Sequence, residues 1–131
     1  TRQSNPAPVD MERIVKAESG WRLGWDPGAS QFKGLVGTDD WALELTVPEF
    51  EDFCRLLQQL AATVAQISDE LMDEETIACE VESDLLWMEV EGYPHHYGVH
   101  LILQTGRRAE GRWPAEAVPQ LLQAVRSLTV F

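Results

Sequence analysis

Residues 46–71 read TVPEFEDFCRLLQQLAATVAQISDEL, and they organise the rest of the chain. Thr46 can cap free backbone N–H groups, Pro48 suits a first helical turn, and Glu49 completes a capping box. Apolar residues then recur at alternating intervals of three and four, the spacing of a single helix face. The pattern predicts one amphipathic helix that ends near Leu71. Its apolar seam is Phe50, Phe53, Leu57, Leu60, Val64, Ile67 and Leu71.

The length of this helix has a consequence for assembly. At ~1.5 Å per residue it spans roughly 35 Å, whereas four strands at ~4.8 Å each cover about 19 Å. We therefore expect part of the seam to extend past its own sheet. An extended apolar seam needs a second helix, either from this chain or from another copy. The sequence thus predicts a helix-packing seam and, through it, a homodimer.

Short alternating or apolar segments flank the helix and are typical of strands. Three strands are predicted before it, at 20–26, 33–37 and 41–47. Four more are predicted after it, at 76–82, 85–91, 96–105 and 107–113. Pro119 then begins a second helix. The expected fold is α+β, with antiparallel sheets of about seven strands and two helices in the order βββα-ββββα.

The two halves of the chain resemble each other. LLQQL at 56–60 and LLQAV at 121–125 lie 65 residues apart, and each follows a strand with a tryptophan and then a proline. This similarity favours a pseudo-duplicated sheet-plus-helix unit, with half-repeats at 20–72 and 76–131. Chance similarity between two amphipathic helices is the alternative.

The length of 131 residues favours a single domain. Residues 1–10 are polar and are followed by Met11, so we interpret them as a tag or a disordered extension and assign 11–131 to the domain. No apolar run reaches the roughly 20 residues that span a bilayer. Cys54 and Cys79 are interpreted as small buried hydrophobes, which fits a reducing cytoplasmic location.

Charge is distributed unevenly along the chain. The formal net charge is −12, and residues 39–91 contain sixteen Asp or Glu but one basic residue, Arg55. Such acidity repels nucleic acid and anionic membranes. It keeps a protein soluble, or it forms a face that recognises a basic partner. Glutamates on the neighbouring strands 76–82 and 85–91 could form an acidic stripe: Glu80, Glu82, Glu89 and Glu91.

Catalytic and metal-binding patterns are missing from the sequence. His96 and His100 would lie roughly 13 Å apart on one strand, too far for one zinc ion with ~2 Å bonds. The acidic run 69–75 lacks the alternating ligands and central glycine of a calcium loop. No nucleophile elbow, phosphate-binding loop or dinucleotide fingerprint is present. We therefore predict a protein that is not an enzyme and uses no metal or other cofactor.

Arginines on the last predicted strand are the one basic feature of the second half. Arg107 falls in the preceding turn, and Arg108 and Arg112 share a strand face with Glu110. Arginines beside exposed aromatic rings suit single-stranded nucleic acid. A solvated edge strand that uses charge to prevent pairing is the alternative.

Several of these segments together resemble a known family. They are GWRLGWDP at 20–27, GLVGTDDWALELT at 34–46, DFCRLL at 52–57, ESDLLWMEVEGYP at 82–94 and RRAEGRWP at 107–114. They are similar to small uncharacterised cyanobacterial proteins classed as a domain of unknown function. The resemblance implies a fold related to single-stranded-DNA-binding transcriptional regulators, including the plant Whirly proteins. It implies no catalytic residues.

The sequence thus predicts a non-enzymatic binding or regulatory module that acts through protein–protein contacts with an unidentified partner. The alternative is a regulator that binds single-stranded nucleic acid through Arg107, Arg108 and Arg112.

Overall fold

Each half of the chain forms a four-stranded antiparallel meander that is followed by one helix. The computed structural model describes residues 13–18 and 20–128, so the interpretation of residues 1–10 lies outside the described residues. Sheet A consists of β1 (Ile14–Glu18), β2 (Trp21–Trp25), β3 (Gly34–Gly37) and β4 (Ala42–Leu45), followed by α1 (Val47–Ser68). Sheet B consists of β5 (Ile77–Glu82), β6 (Leu86–Tyr93), β7 (His96–Leu103) and β8 (Glu110–Trp113), followed by α2 (Val118–Ser127).

The described residues thus contain eight strands rather than about seven, in the order ββββα-ββββα. The additional strand is β1, which pairs with β2 at the edge of sheet A. The sequence did not predict it because its segment, IVKAE, lacks a regular alternation of apolar and polar residues. In the structure Val15 is 57% exposed, and Lys16 on the opposite face bonds Ser127. An edge strand held by backbone pairing does not require the usual alternation. Several predicted boundaries also move, most of all at α1, which ends at Ser68 rather than near Leu71, and at the last strand, which begins at Glu110 rather than at Arg107.

The predicted start of α1 is confirmed. The backbone N–H of Thr46 donates to Glu49 Oε1 at 2.8 Å, and the N–H of Glu49 donates to Thr46 Oγ1 at 3.4 Å. Pro48 lies in the first turn, where its missing N–H leaves no intrahelical bond unmade. The capping box therefore fixes where β4 ends and where the helix enters the core.

The seam of α1 is covered largely by the chain itself. Five seam residues are at most 2% exposed: Phe50, Phe53, Leu57, Leu60 and Val64. The helix packs on β3 and β4 of sheet A, more extensively on β5 and β6 of sheet B, and also on α2. At ~1.5 Å per residue its 22 residues span roughly 33 Å, enough to cover parts of both sheets. Ile67 and Leu71, at the far end, are half-buried.

The second helix, α2, also packs on both sheets. It follows sheet B in the chain, yet it packs on β2 of sheet A as well as on β7. Trp21 Nε1 donates to Gln120 Oε1 at 3.0 Å and ties β2 to this helix. Each half therefore contributes a helix to the other half's sheet, and the two share one core.

Two tryptophans join the sheets where β8 meets the β3–β4 hairpin. Trp113 Nε1 donates to the carbonyl of Gly37 at 2.8 Å, and Trp41 Nε1 donates to that of Arg112 at 3.3 Å. The ring of Trp41 lies on Gly111, where a β-carbon would come within 2.3 Å of it. Trp113 is buried. No helix among the described residues is long and apolar enough to cross a membrane.

Candidate binding surfaces

Arg107 lies in the β7–β8 hairpin but reaches across to the first half of the chain. Its guanidinium forms an ion pair with the buried carboxylate of Glu49 and donates to the carbonyl of Glu44 at 2.6 Å. It also lies 4.5 Å from the ring centre of Phe32, a cation–π distance. These contacts make Arg107 a link between the hairpin, β4 and the start of α1.

The other two predicted arginines do not share these contacts and are exposed. Arg108 is exposed in the same turn and has a φ of 51°, in the left-handed region. Arg112 is exposed on β8, on the face of sheet B that is turned away from the core. Glu110, predicted beside them, forms a 2.6 Å contact with His100. Arg107 is thus held by contacts with the first half of the chain, whereas Arg108 and Arg112 remain exposed.

The outer face of sheet B carries a strongly acidic surface. Cross-strand pairing places Glu80 directly opposite Glu89, next to His100 and Arg112 in the same row. The neighbouring row holds Glu82, Trp87, Ile102 and Glu110, and Glu91 lies beyond the first row. We call this surface the acidic face. It also contains Arg112, and its glutamates are Glu80, Glu82, Glu89, Glu91 and Glu110. The predicted acidic stripe therefore exists and extends onto β8.

A histidine and a tryptophan occupy the centre of the acidic face. His100 is 9% exposed and contacts Glu110, and the ring of Trp87 stands edge-on to it with 5.3 Å between ring centres. Trp87 is half-buried, so part of its ring faces outward. The acidic face thus combines negative charge with an aromatic surface.

The outer face of sheet A has a different character. Two cross-strand rows have glycines at their centres, Val15–Gly24–Leu35–Glu44 and Ala17–Arg22–Gly37–Ala42. Because these glycines have no side chains, a hollow of about 270 Å³ remains between this face and the β2–β3 loop at 26–33. Three cationic side chains line it: Arg13, Arg22 and Lys33. We call it the outer hollow. The sequence pattern does not reveal it, because only strand register brings these three residues together.

The buried Cys54 differs from the exposed histidines in its surroundings. Burial raises the pKa of the Cys54 thiol to about 12, and the nearby Glu51 carboxylate adds to this effect. A thiol with so high a pKa is a poor nucleophile at neutral pH. His95 and His96 are exposed and lie 3.8 Å from Asp73 and 3.5 Å from Glu116. No group of three potential metal ligands occurs in the described part of the chain.

Comparison with known proteins relates this chain to a family by sequence and to a solved structure by fold. Residues 16–128 match the family model described as "Domain of unknown function (DUF1818)". A crystal structure of a protein of unknown function from the DUF155 family of Prochlorococcus sp. NATL2A superposes with a TM-score of 0.83 and 28% identity. The similarity covers 87% of this chain and 97% of that one. No curated protein matches.

Proposed function

The chain belongs to the DUF1818 family of domains of unknown function, and we propose that it is a non-enzymatic module that binds a basic protein partner through the acidic face. The observation that carries the proposal is that five glutamates lie together, beside Arg112, on one exposed sheet surface. A partner with arginines or lysines is the chemistry that such a surface fits.

The register of sheet B gives this proposal an energetic basis. Glu80 and Glu89 are direct cross-strand neighbours, and like charges in that position destabilise a sheet. A bound cation between them would remove that repulsion. The outward part of the Trp87 ring offers a second contact to the same partner, since a cation over an indole contributes about 0.5–2 kcal/mol. Long-range attraction to the acidic face would also accelerate association at low salt.

A labelled peptide of nine arginines tests the acidic face directly by fluorescence anisotropy. We expect the double variant Glu80→Gln/Glu89→Gln to bind the peptide more weakly than the wild type. The matched control is Glu70→Gln/Glu74→Gln, which removes the same charge from an exposed segment after α1. Equal weakening in both variants would mean that net charge, rather than the acidic face, attracts the peptide, and the proposal would be wrong.

Affinity capture from native lysate with the same three proteins then identifies the natural partner. We expect a basic protein that is retained by the wild type and by the control variant but lost with Glu80→Gln/Glu89→Gln. Retention of the same proteins by all three would contradict binding through the acidic face.

A second candidate is a single-stranded nucleic-acid-binding regulator with a Whirly-like fold relationship. The repeated arrangement of a four-stranded sheet and a helix supports it, as do Arg108 and Arg112, which are exposed and form no ion pair with a described residue. Fluorescence anisotropy with single-stranded oligonucleotides at low salt is the test, because phosphate contacts are strongest there. Binding that persists unchanged in Arg108→Gln/Arg112→Gln, or no binding by the wild type, would argue against it.

Homodimer formation is a further part of the proposal. Because most of the seam is buried within the chain, contact with a second copy would use the last turn of α1 and the residues that follow it. There Ile67 and Leu71 are half-buried and Met72 is 63% exposed. Light scattering at micromolar protein should give twice the monomer mass, and Met72→Lys should reduce it. A monomer mass for the wild type would refute the dimer.

A further inference from the structure

We propose that the outer hollow of sheet A is a binding site for a small organic anion, a carboxylate or phosphate ester attached to one ring or a short apolar chain. This site lies on the opposite sheet from the acidic face and does not depend on the proposed protein partner. Its volume of about 270 Å³ is at the small end of ligand pockets. A fragment-sized ligand is therefore the class that fits.

Two of the cations are held in place by carbonyl groups rather than by carboxylates. Arg22 Nε donates to the carbonyl of Thr38 at 2.8 Å, and a terminal nitrogen donates to that of Trp41 at 3.3 Å. Lys33 Nζ donates to the carbonyls of Pro27 and Ala29 at 3.0 and 2.5 Å. Neutral acceptors orient these groups without neutralising them. Each therefore retains its full charge and at least one N–H for a ligand.

The absence of carboxylate partners is notable in a chain with a net charge of −12. Among the described residues, Arg13, Arg22 and Lys33 form no ion pair. Asp26 and Glu44 also line the outer hollow, and Asp26 Oδ1 accepts the backbone N–H of Gly28 at 3.0 Å. The three cations exceed the two carboxylates by one. This balance favours an anion of low charge.

The floor of the outer hollow supplies the apolar contact. Gly24 leaves space between Val15 and Leu35, its cross-strand neighbours, and Phe32 from the loop forms part of the wall. Val15 is 57% exposed, so its apolar side chain is open to contact with a ligand. A ring or short chain lying over Gly24 would cover this surface while its anionic group reaches the cations on the rim.

NMR titration of the 15N-labelled protein with benzoate, phenyl phosphate and inorganic phosphate tests the site. We expect saturable shifts confined to residues 13–44 with benzoate or phenyl phosphate, and whichever binds tighter identifies the anionic group. Inorganic phosphate should bind more weakly because it lacks the apolar body. A single-stranded decathymidylate is the fourth probe, and saturable shifts with it but not with the small anions would overturn the proposal.

Three variants decide whether the shifts report this site. In Gly24→Ala the new β-carbon would lie 3.4 Å from the carbonyl oxygen of Ile14 and 3.5 Å from the β-carbon of Leu35, so the strand can accept it while the floor is filled. Arg13→Gln removes an exposed cation without disturbing the core. Arg13→Gln should weaken binding by about tenfold, the effect of losing one contact to a charged group. Gly24→Ala should weaken binding by a similar factor, because the added methyl group occupies the space in which the ring or chain would lie. Arg126→Gln, on α2, is the control and should leave binding unchanged.

An undisturbed spectrum of each free variant shows that it is folded. Affinity that stays within twofold of the wild type in both Gly24→Ala and Arg13→Gln would overturn the proposal. The lack of saturable shifts with any small anion in the wild type would do the same.

Discussion

Replacing Arg107 with alanine should destabilise the fold, although the side chain lies on the surface. The substitution removes an ion pair to Glu49, a hydrogen bond to the carbonyl of Glu44 and a cation–π contact with Phe32. The Glu49 side chain is 4% exposed, so its carboxylate would lose a charged partner while it remains mostly shielded from water. Its remaining bond is the one from the backbone of Thr46.

The magnitude follows from these contacts. A hydrogen bond to a charged group contributes about 1.5–3 kcal/mol. Two such bonds would sum to about 3–6 kcal/mol, but the Arg107 side chain is 37% exposed, so solvent screens them and the sum falls to the lower end of that range or below it. We expect the free energy of unfolding to fall by about 2–3 kcal/mol, or roughly 6–9 °C in Tm for a domain of this size. Urea denaturation followed by tryptophan fluorescence measures the first quantity, and circular dichroism measures the second.

The adjacent arginine provides the matched control. Arg108→Gln removes the same charge one residue later, from a side chain without an ion pair among the described residues, so it should change stability by less than about 0.5 kcal/mol. Combining Arg107→Ala with Glu49→Gln should destabilise by less than the sum of the two single changes, because both remove the same pair. Equal stability of Arg107→Ala and Arg108→Gln would refute the role we assign to Arg107.

Four further outcomes are expected. Trp113→Phe should lower the free energy of unfolding by about 1–3 kcal/mol in urea denaturation, because the carbonyl of Gly37 loses its buried donor; a neutral effect would contradict this. Arg108→Gly should raise the melting temperature, since glycine adopts a φ of 51° without strain, by the equivalent of about 1 kcal/mol; unchanged melting would refute it. Iodoacetamide at pH 8 should label Cys79 before Cys54, whose pKa of about 12 keeps it protonated. The same raised pKa predicts that the free energy of unfolding falls as pH rises from about 9 to about 12, because the unfolded chain releases the Cys54 proton first; early Cys54 labelling or constant stability over that range would be inconsistent.

Local features of the fold were predictable because they depend on neighbouring residues. The capping box of Thr46 and Glu49 operates within one turn, so the start of α1 could be read from four residues. The acidic stripe was predictable as well, since the strand period of two fixes the face of every glutamate once the strands are placed. β1 was not predictable in this way, because its pairing with β2 uses the backbone and leaves Val15 exposed.

Features that connect distant parts of the chain could not be obtained from the sequence pattern. Arg107 was predicted as a possible nucleic acid contact, but its partner Glu49 lies 58 residues away. The outer hollow requires the register of β1, β2 and β3 to bring Arg13, Arg22 and Lys33 together. From its length, α1 was expected to extend past a four-stranded sheet and to need a second helix. In the structure, sheet B of the same chain packs against the seam as well.

The exchange of helices between the halves has a consequence for how the protein is made. When the ribosome has delivered sheet A and α1, the strands β5 and β6 that bury most of the α1 seam do not yet exist. The nascent first half therefore exposes an apolar helix face, which in a long-lived intermediate promotes aggregation. Neither half can complete its core alone, so we expect cotranslational folding to stall after α1 and to finish only when sheet B emerges.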